Sequence, residues 1–199
     1  TNYHYIVPEF DPSTEFCLDD GALLDQVQEA QKAGVNPKPV VLGPVTYLFL
    51  GKAENFDKKT LLKKLLPEYV GLLNRLAARD VEWVQIDEPL LVTDLDNDWK
   101  HMLKQTYQAL ANESVKIMLA TYFGPLDDNL DLALSLPVQA LHVDAVRGKD
   151  QVPDLVSRLP EHMVLSLGVI DGRNIWKTDL NALLNQLTPI HDQLGDRLW

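Results

Sequence analysis

Trp83-Val84-Gln85-Ile86-Asp87-Glu88-Pro89 reads as a short buried strand that runs into two carboxylates and is stopped by a proline. Working outward from it, runs of the same kind recur at His4–Val7, Pro39–Leu42, Lys116–Ala120, Ala140–Val143 and Val164–Ile170. They are rich in Val, Ile and Leu, as expected of strands covered on both faces.

Between the runs lie stretches of helical period. Leu23, Leu24, Val27 and Ala30 mark the first, and Leu61, Leu65, Tyr69, Leu72, Leu73 and Leu76 the second. Val152, Leu155, Val156 and Leu159 mark a later one, and Leu180, Leu183, Leu184, Leu187 and Ile190 the last. Each spacing gives one apolar stripe to lay on a sheet. Pro67 is expected to kink or split the second helix. Asp57, Asp150 and Thr178 are placed to cap helix starts.

Strands alternating with helices imply a mostly parallel sheet with right-handed crossovers. A complete eightfold barrel of roughly 250 residues gives about 31 to each strand–helix pair, so about six βα units fit this chain. The reading is an α/β fold, an incomplete (βα) TIM-type barrel forming one partial domain over residues 1–199. A flavodoxin-like open sheet is the alternative. The chain opens on Thr1, inside or just before a strand, and closes on Arg197-Leu198-Trp199 where the next strand should begin. Both ends are therefore expected to be cut, leaving raw sheet edges through which the chain self-associates.

The 199 residues carry a formal charge of −11, which argues against nucleic acid or an anionic membrane as partner. No apolar stretch is long enough to span a bilayer. The single cysteine, Cys17, excludes an internal disulfide and points to a reducing, cytoplasmic compartment. The lysines at 58, 59, 63 and 64 read as the solvated face of a helix.

Function in parallel α/β folds sits at the C-terminal ends of the strands. The polar residues expected there are His4, Asp87, Glu88, Asp144, Asp171, Arg173 and Asn174. Asp87-Glu88-Pro89 is the sharpest motif. A carboxylate there suits a general acid or base, and a sugar hydrolase would pair Glu88 with Asp144 or Asp171 at about 5–9.5 Å. Alternatively, Asp87 and Glu88 bond neighbouring loop amides. No His-x-x-x-His, Cys-x-x-Cys, Gly-x-Ser-x-Gly or glycine-rich phosphate loop occurs, so neither a metal nor a nucleophilic serine is expected.

Asn2-Tyr3-His4-Tyr5-Ile6-Val7-Pro8-Glu9-Phe10, Leu42-Gly43-Pro44-Val45-Thr46-Tyr47, Val84–Pro89 and Gly168-Val169-Ile170-Asp171-Gly172-Arg173-Asn174-Ile175-Trp176 go further. In order and spacing they resemble cobalamin-independent methionine synthase, over essentially the whole chain. That family moves a methyl group from 5-methyltetrahydropteroyltriglutamate to homocysteine, with zinc activating the thiol. It has two similar barrels and holds the zinc in the C-terminal one. The first and last motifs resemble the N-terminal half.

The resemblance implies that the zinc-binding His-x-Cys is replaced here by Leu119-Ala120-Thr121, and a glutamate ligand by Asp144. It implies no cofactor in this chain and zinc in the absent half. The implied partner is the C-terminal catalytic barrel of the same polypeptide, with weak contact to the folate's polyglutamate tail. On this reading the chain alone is inactive. The strand-end residues are then remnants of an ancestral site, structural ties, or minor substrate contacts. Two other readings are kept: a self-sufficient glycoside hydrolase using Glu88, and an assembly module pairing through its edges.

Overall fold

The structure, a computed structural model, describes residues 7–111 and 115–199. The chain runs β1 (Glu9–Phe10), α1 (Gly21–Lys32), β2 (Val40–Leu42), α2 (Pro44–Leu50), β3 (Lys52–Ala53), α3 (Leu62–Ala77) and β4 (Trp83–Asp87). It continues α4 (Asn97–Leu110), β5 (Lys116–Ala120), α5 (Leu130–Ser135), β6 (Ala140–Asp144), α6 (Val152–Arg158), β7 (Val164–Gly168) and α7 (Leu180–Leu194).

Five strands form one sheet in the order β2-β4-β5-β6-β7, every pair parallel. β1 and β3 make a separate two-stranded parallel pair. Because spatial order follows sequence order, the sheet winds one way. A doubly wound, flavodoxin-like sheet requires a reversal point, and the described strands contain none.

The sheet also curls. Leu198 bridges Leu165 in parallel, and Trp199 both donates to Leu165 and accepts from Leu167, so the segment after α7 lies along β7. In a flat sheet that position is about 19 Å from β4, four strand spacings away. Yet the Trp199 ring lies 4.9 Å from the Trp83 ring on β4. Only a sheet bending toward closure brings them together, and the architecture is that of an incomplete TIM-type barrel.

Strand alternation sorts the side chains. Val84, Ile86, Ile117, Leu119, Leu141, Val143 and Leu165 are buried on the outer face and belong, with buried positions of α1, α3, α4 and α6, to one core cluster. The last stripe lies on it only in part, Leu187 and Ile190 packing against the cluster while Leu180 and Leu184 are exposed. The opposite face of β4 and β7 presents Gln85, Asp87 and Ser166, which are half-buried. Coverage on both faces, expected from composition, therefore holds for β5 and β6 more than for their neighbours, because the concave face is open.

The strand runs at 40–42, 83–87, 116–120, 140–144 and 164–168 fall where the sequence places them. The run His4–Val7 lies outside the described residues except for Val7, which is not in a strand. Pro67 does not split α3, which is continuous over Leu62–Ala77. One missing N–H near the first turns costs a single bond, and the buried stripe Leu62, Leu65, Leu72, Leu73, Leu76 holds the helix together.

Asp57 caps as expected, accepting from Lys59 N at 3.0 Å. Asp150 does not cap: it lies within a 3-10 turn at Lys149–Gln151 that runs straight into α6. The last helix is capped by Asp179 rather than Thr178, since Asp179 reaches the amides of Asn181 and Ala182. The lysine cluster is less solvated than its charge pattern suggests. Lys58 donates to the carbonyls of Phe49 and Gly51, while Lys59 and Lys64 pair with Asp98 and Glu15.

Candidate functional site at the strand ends

β4 delivers Asp87 and Glu88 to opposite sides. Glu88 is fully buried among the helices and does not reach the mouth. Its carboxylate accepts from Thr46 N at 2.7 Å and Val45 N at 3.3 Å, in the first turn of α2, and from the Tyr107 hydroxyl at 3.5 Å. Gly43 makes the room: a Cβ there would lie 2.1 Å from Glu88 Cδ. Burial pushes the Glu88 carboxyl up to about 7, against the opposing pull of the Thr46, Val45 and Tyr107 hydrogen bonds. The Tyr107 phenol is pushed up in turn, by burial and then by Glu88. A carboxylate sealed this way cannot protonate a sugar at the mouth, so the hydrolase arrangement loses its proposed acid.

Asp87 faces the concave side. It accepts from Gln85 Nε2 at 2.9 Å and from the Tyr122 hydroxyl at 3.1 Å. Partial burial, reinforced by Asp87, pushes the Tyr122 phenol up to about 12. Burial lowers the Lys38 ammonium, with Asp87 opposing, and Lys38 Nζ rests 3.3 Å from Met118 Sδ. His142 Nδ1 lies 2.9 Å from Ser166 Oγ. Burial and then Lys38 lower the imidazole. Gly168 accommodates that ring, since a Cβ there would approach it to 3.2 Å.

Asp144, at the end of β6, ties the loop after β5 to its own loop. It accepts from Val146 N and Arg147 N at 2.9 Å each, from Phe123 N at 3.2 Å and from Arg147 Nη1 at 3.4 Å. Burial alone would raise this carboxyl, but these bonds outweigh it and hold it below the usual carboxylate range. Phe123, held by one of them, has φ of 83°. Arg147 Nη2 lies 3.6 Å from Asp171 Oδ1 and so joins the ends of β6 and β7.

Asp171 accepts from Arg173 N at 3.0 Å and Asn174 Nδ2 at 2.7 Å. These contacts, the Arg173 amide first, lower its carboxyl. Thus Asp144 and Asp171 come together through Arg147, Asp87 belongs to a separate group with Tyr122, and Glu88 faces away from both. Arg173 contributes its backbone amide and Asn174 its side chain. His4 lies outside the described residues. Sequence reading passed over Arg147 and Lys38; an arginine three residues past a strand-end aspartate was the available signal for the first.

The three positions matched to a zinc site do not form one. Leu119 is buried on the outer face and has no donor atom, the Thr121 hydroxyl donates to His142 O at 3.1 Å, and Asp144 is engaged as above. Among the described residues no group of three or more His, Cys, Asp or Glu side chains converges as metal ligands. Nor is any described helix long and apolar enough to cross a membrane.

Fold and site together define a partial one-way-wound barrel whose strand-end side chains are bound to one another. Residues 1–195 match the family model for the N-terminal domain of the cobalamin-independent synthase, and the chain belongs to that family. Among solved structures it resembles a methyltransferase from Methanosarcina mazei, at TM-score 0.63 and 13% identity over 85% of this chain. The chain spans about half, 53%, of that protein's length. A chitinase from Chromobacterium violaceum aligns at TM-score 0.46 and 12% identity, over 74% of this chain and 54% of its own. That likeness is too distant to carry an argument.

Proposed function

We propose that this chain is part of the N-terminal, non-catalytic barrel of a cytoplasmic cobalamin-independent methionine synthase. The parent transfers the methyl group of 5-methyltetrahydropteroyltriglutamate to homocysteine. The zinc and the chemistry belong to the C-terminal barrel of the same polypeptide. This barrel supports that one and makes at most weak contact with the folate's polyglutamate tail.

Membership of the N-terminal-domain family supports the parentage. The observation that carries the non-catalytic role is the state of the strand-end carboxylates. Glu88 is sealed against α2, Asp144 is held by backbone amides and Arg147, and Asp87 is bonded on both oxygens. Glu88 accepts three protein hydrogen bonds, Asp144 four and Asp87 two, so each carboxylate already serves as a tie within the chain.

The test is metal content and turnover together. The chain, purified without a metal-binding tag from zinc-supplemented medium, should hold substoichiometric zinc and form no methionine from the two substrates. One tightly held zinc per chain, or measurable methyl transfer, would overturn the reading. Sedimentation over a concentration series tests the accompanying proposal that the open sheet edges let the isolated chain self-associate.

A further inference from the structure

A cavity of about 200 Å3 lies between the loop after β4 and the loop after β5, apart from the strand-end groups described above. Asp94, Lys100, Asp127, Asp128 and Asn129 line it. β4 and β5 have sheet neighbours on both sides, so the cavity is not at a sheet edge. Asn129 is 3% exposed, and its Nδ2 donates to Leu91 O and Thr93 O at 2.9 Å each. Exchanging the oxygen and nitrogen of the amide would set Oδ1 against two carbonyls, so its orientation is fixed. Oδ1 is left a buried acceptor with no hydrogen-bond partner among the described residues. Native interiors complete such an atom with a water or an ion.

We propose that this cavity binds a hard metal cation, with Asn129 Oδ1 as the inner ligand and one or two of Asp94, Asp127 and Asp128 at the rim. The start of α5 accounts for Asp127 and Asp128, since carboxylates favour a helix N-terminus. It accounts for neither Asp94 nor the unmet amide oxygen. The ion pairs among the described residues involve none of the three carboxylates, nor Lys100. Unmet oxygen and excess negative charge call for a cation, and a donor set without sulfur or imidazole calls for a hard one. Among the described residues no three acidic side chains converge as ligands. A neutral oxygen, at most two carboxylates and waters therefore make up the shell. Calcium tolerates such an irregular set, whereas magnesium demands near-ideal octahedral geometry. So few charges set a weak site, with Kd about 0.1–1 mM.

Isothermal titration with Ca2+ tests the site, on the chain stripped of metal by a chelator and kept in excess potassium chloride. One Ca2+ per chain is expected, with Mg2+ about tenfold weaker or more. Asp94→Asn combined with Asp128→Asn, both at exposed positions, should weaken Ca2+ binding about tenfold or more. Glu161→Gln, just before β7 at the opposite end of the strands, should leave it unchanged. Asn129→Ala should abolish binding, and if it also unfolds the chain, the paired aspartate variant decides. Two results would overturn the site. Absence of saturable Ca2+ binding would leave a buried water as the partner of Asn129 Oδ1. Equal weakening by Glu161→Gln and by the aspartate pair would assign the binding to the net charge of −11.

Discussion

The ends of β4 and β7 both carry an aspartate-led motif, and they do opposite things with it. At β4 the chain turns Glu88 inward, into a slot that only Gly43 leaves open, and three donors close on it. At β7 Asp171 stays at the rim, folds its own loop and holds Ile175 and Trp176 out in water. The same chemical group is a core tie in one place and a surface brace in the other. Burial decides which, because an unmet donor in the core costs far more than one that water can satisfy.

The sharpest way to break the contrast is at β4. Glu88→Ala strands the Val45 and Thr46 amides and should destabilise the chain by about 3 kcal/mol or more in denaturant unfolding. Gly43→Ala drives a methyl into the carboxylate and should cost about 1–3 kcal/mol. Combined, they should cost less than their sum, since the clash disappears with the carboxylate. Strict additivity would mean that the slot and its occupant are uncoupled.

Next in size is a pH effect. The folded Glu88 carboxyl is raised from 4.5 to about 7, so the folded state binds the proton more tightly than the unfolded one. Its contribution to stability should therefore decline as pH rises from 4.5 to about 7 and level off above, by up to about 3 kcal/mol. Glu88→Gln should flatten that slope. An unchanged slope in the variant would assign the titration to another group.

Asp144 should behave with the opposite sign. Its carboxyl is held below the ordinary value. Its contribution is thus present above the unfolded pKa and lost as the pH falls through the lowered folded one. Asp144→Asn should cost about 1 kcal/mol, mostly from the amides it no longer accepts as a charge. The smallest effect belongs to Asp171→Ala. Global unfolding should be nearly unchanged, while hydrogen exchange at the Arg173 and Trp176 amides should accelerate. Protected amides in that variant would show that the loop is ordered by something else.

Much of the fold is readable without coordinates. Short Val/Ile/Leu runs set by local composition land on β2 and β4–β7, and the stripes of α1, α3 and α6 fall at their expected spacing, whereas α7 leaves Leu180 and Leu184 of its stripe exposed. The stretch that became α4 was less legible. It mixes Asn97, Asp98, Lys100 and Lys104 with its apolar positions, yet it buries Trp99, Met102, Leu103, Tyr107 and Leu110, and Asp96 caps it by accepting from Trp99 N. Asp150 and Thr178 were misassigned as caps because capping depends on the backbone geometry of a single residue, which neighbours one position away can assume.

The site divides along the same line. Sequence alone indicated the family, through its motifs, and the alternation of parallel strands with helices and the strand-end placement of Asp87, Asp144 and Asp171, through residue order and local periodicity; the one-way winding came from the strand order in the structure. Only the tertiary structure decided what those groups touch. That Glu88 meets α2 across the space left by Gly43, that Arg147 spans Asp144 and Asp171, and that Trp83 meets Trp199 across the curl are contacts between segments far apart in the chain. No local pattern specifies such distances; they arise when the sheet bends and the packed helices set which side of each strand is dry.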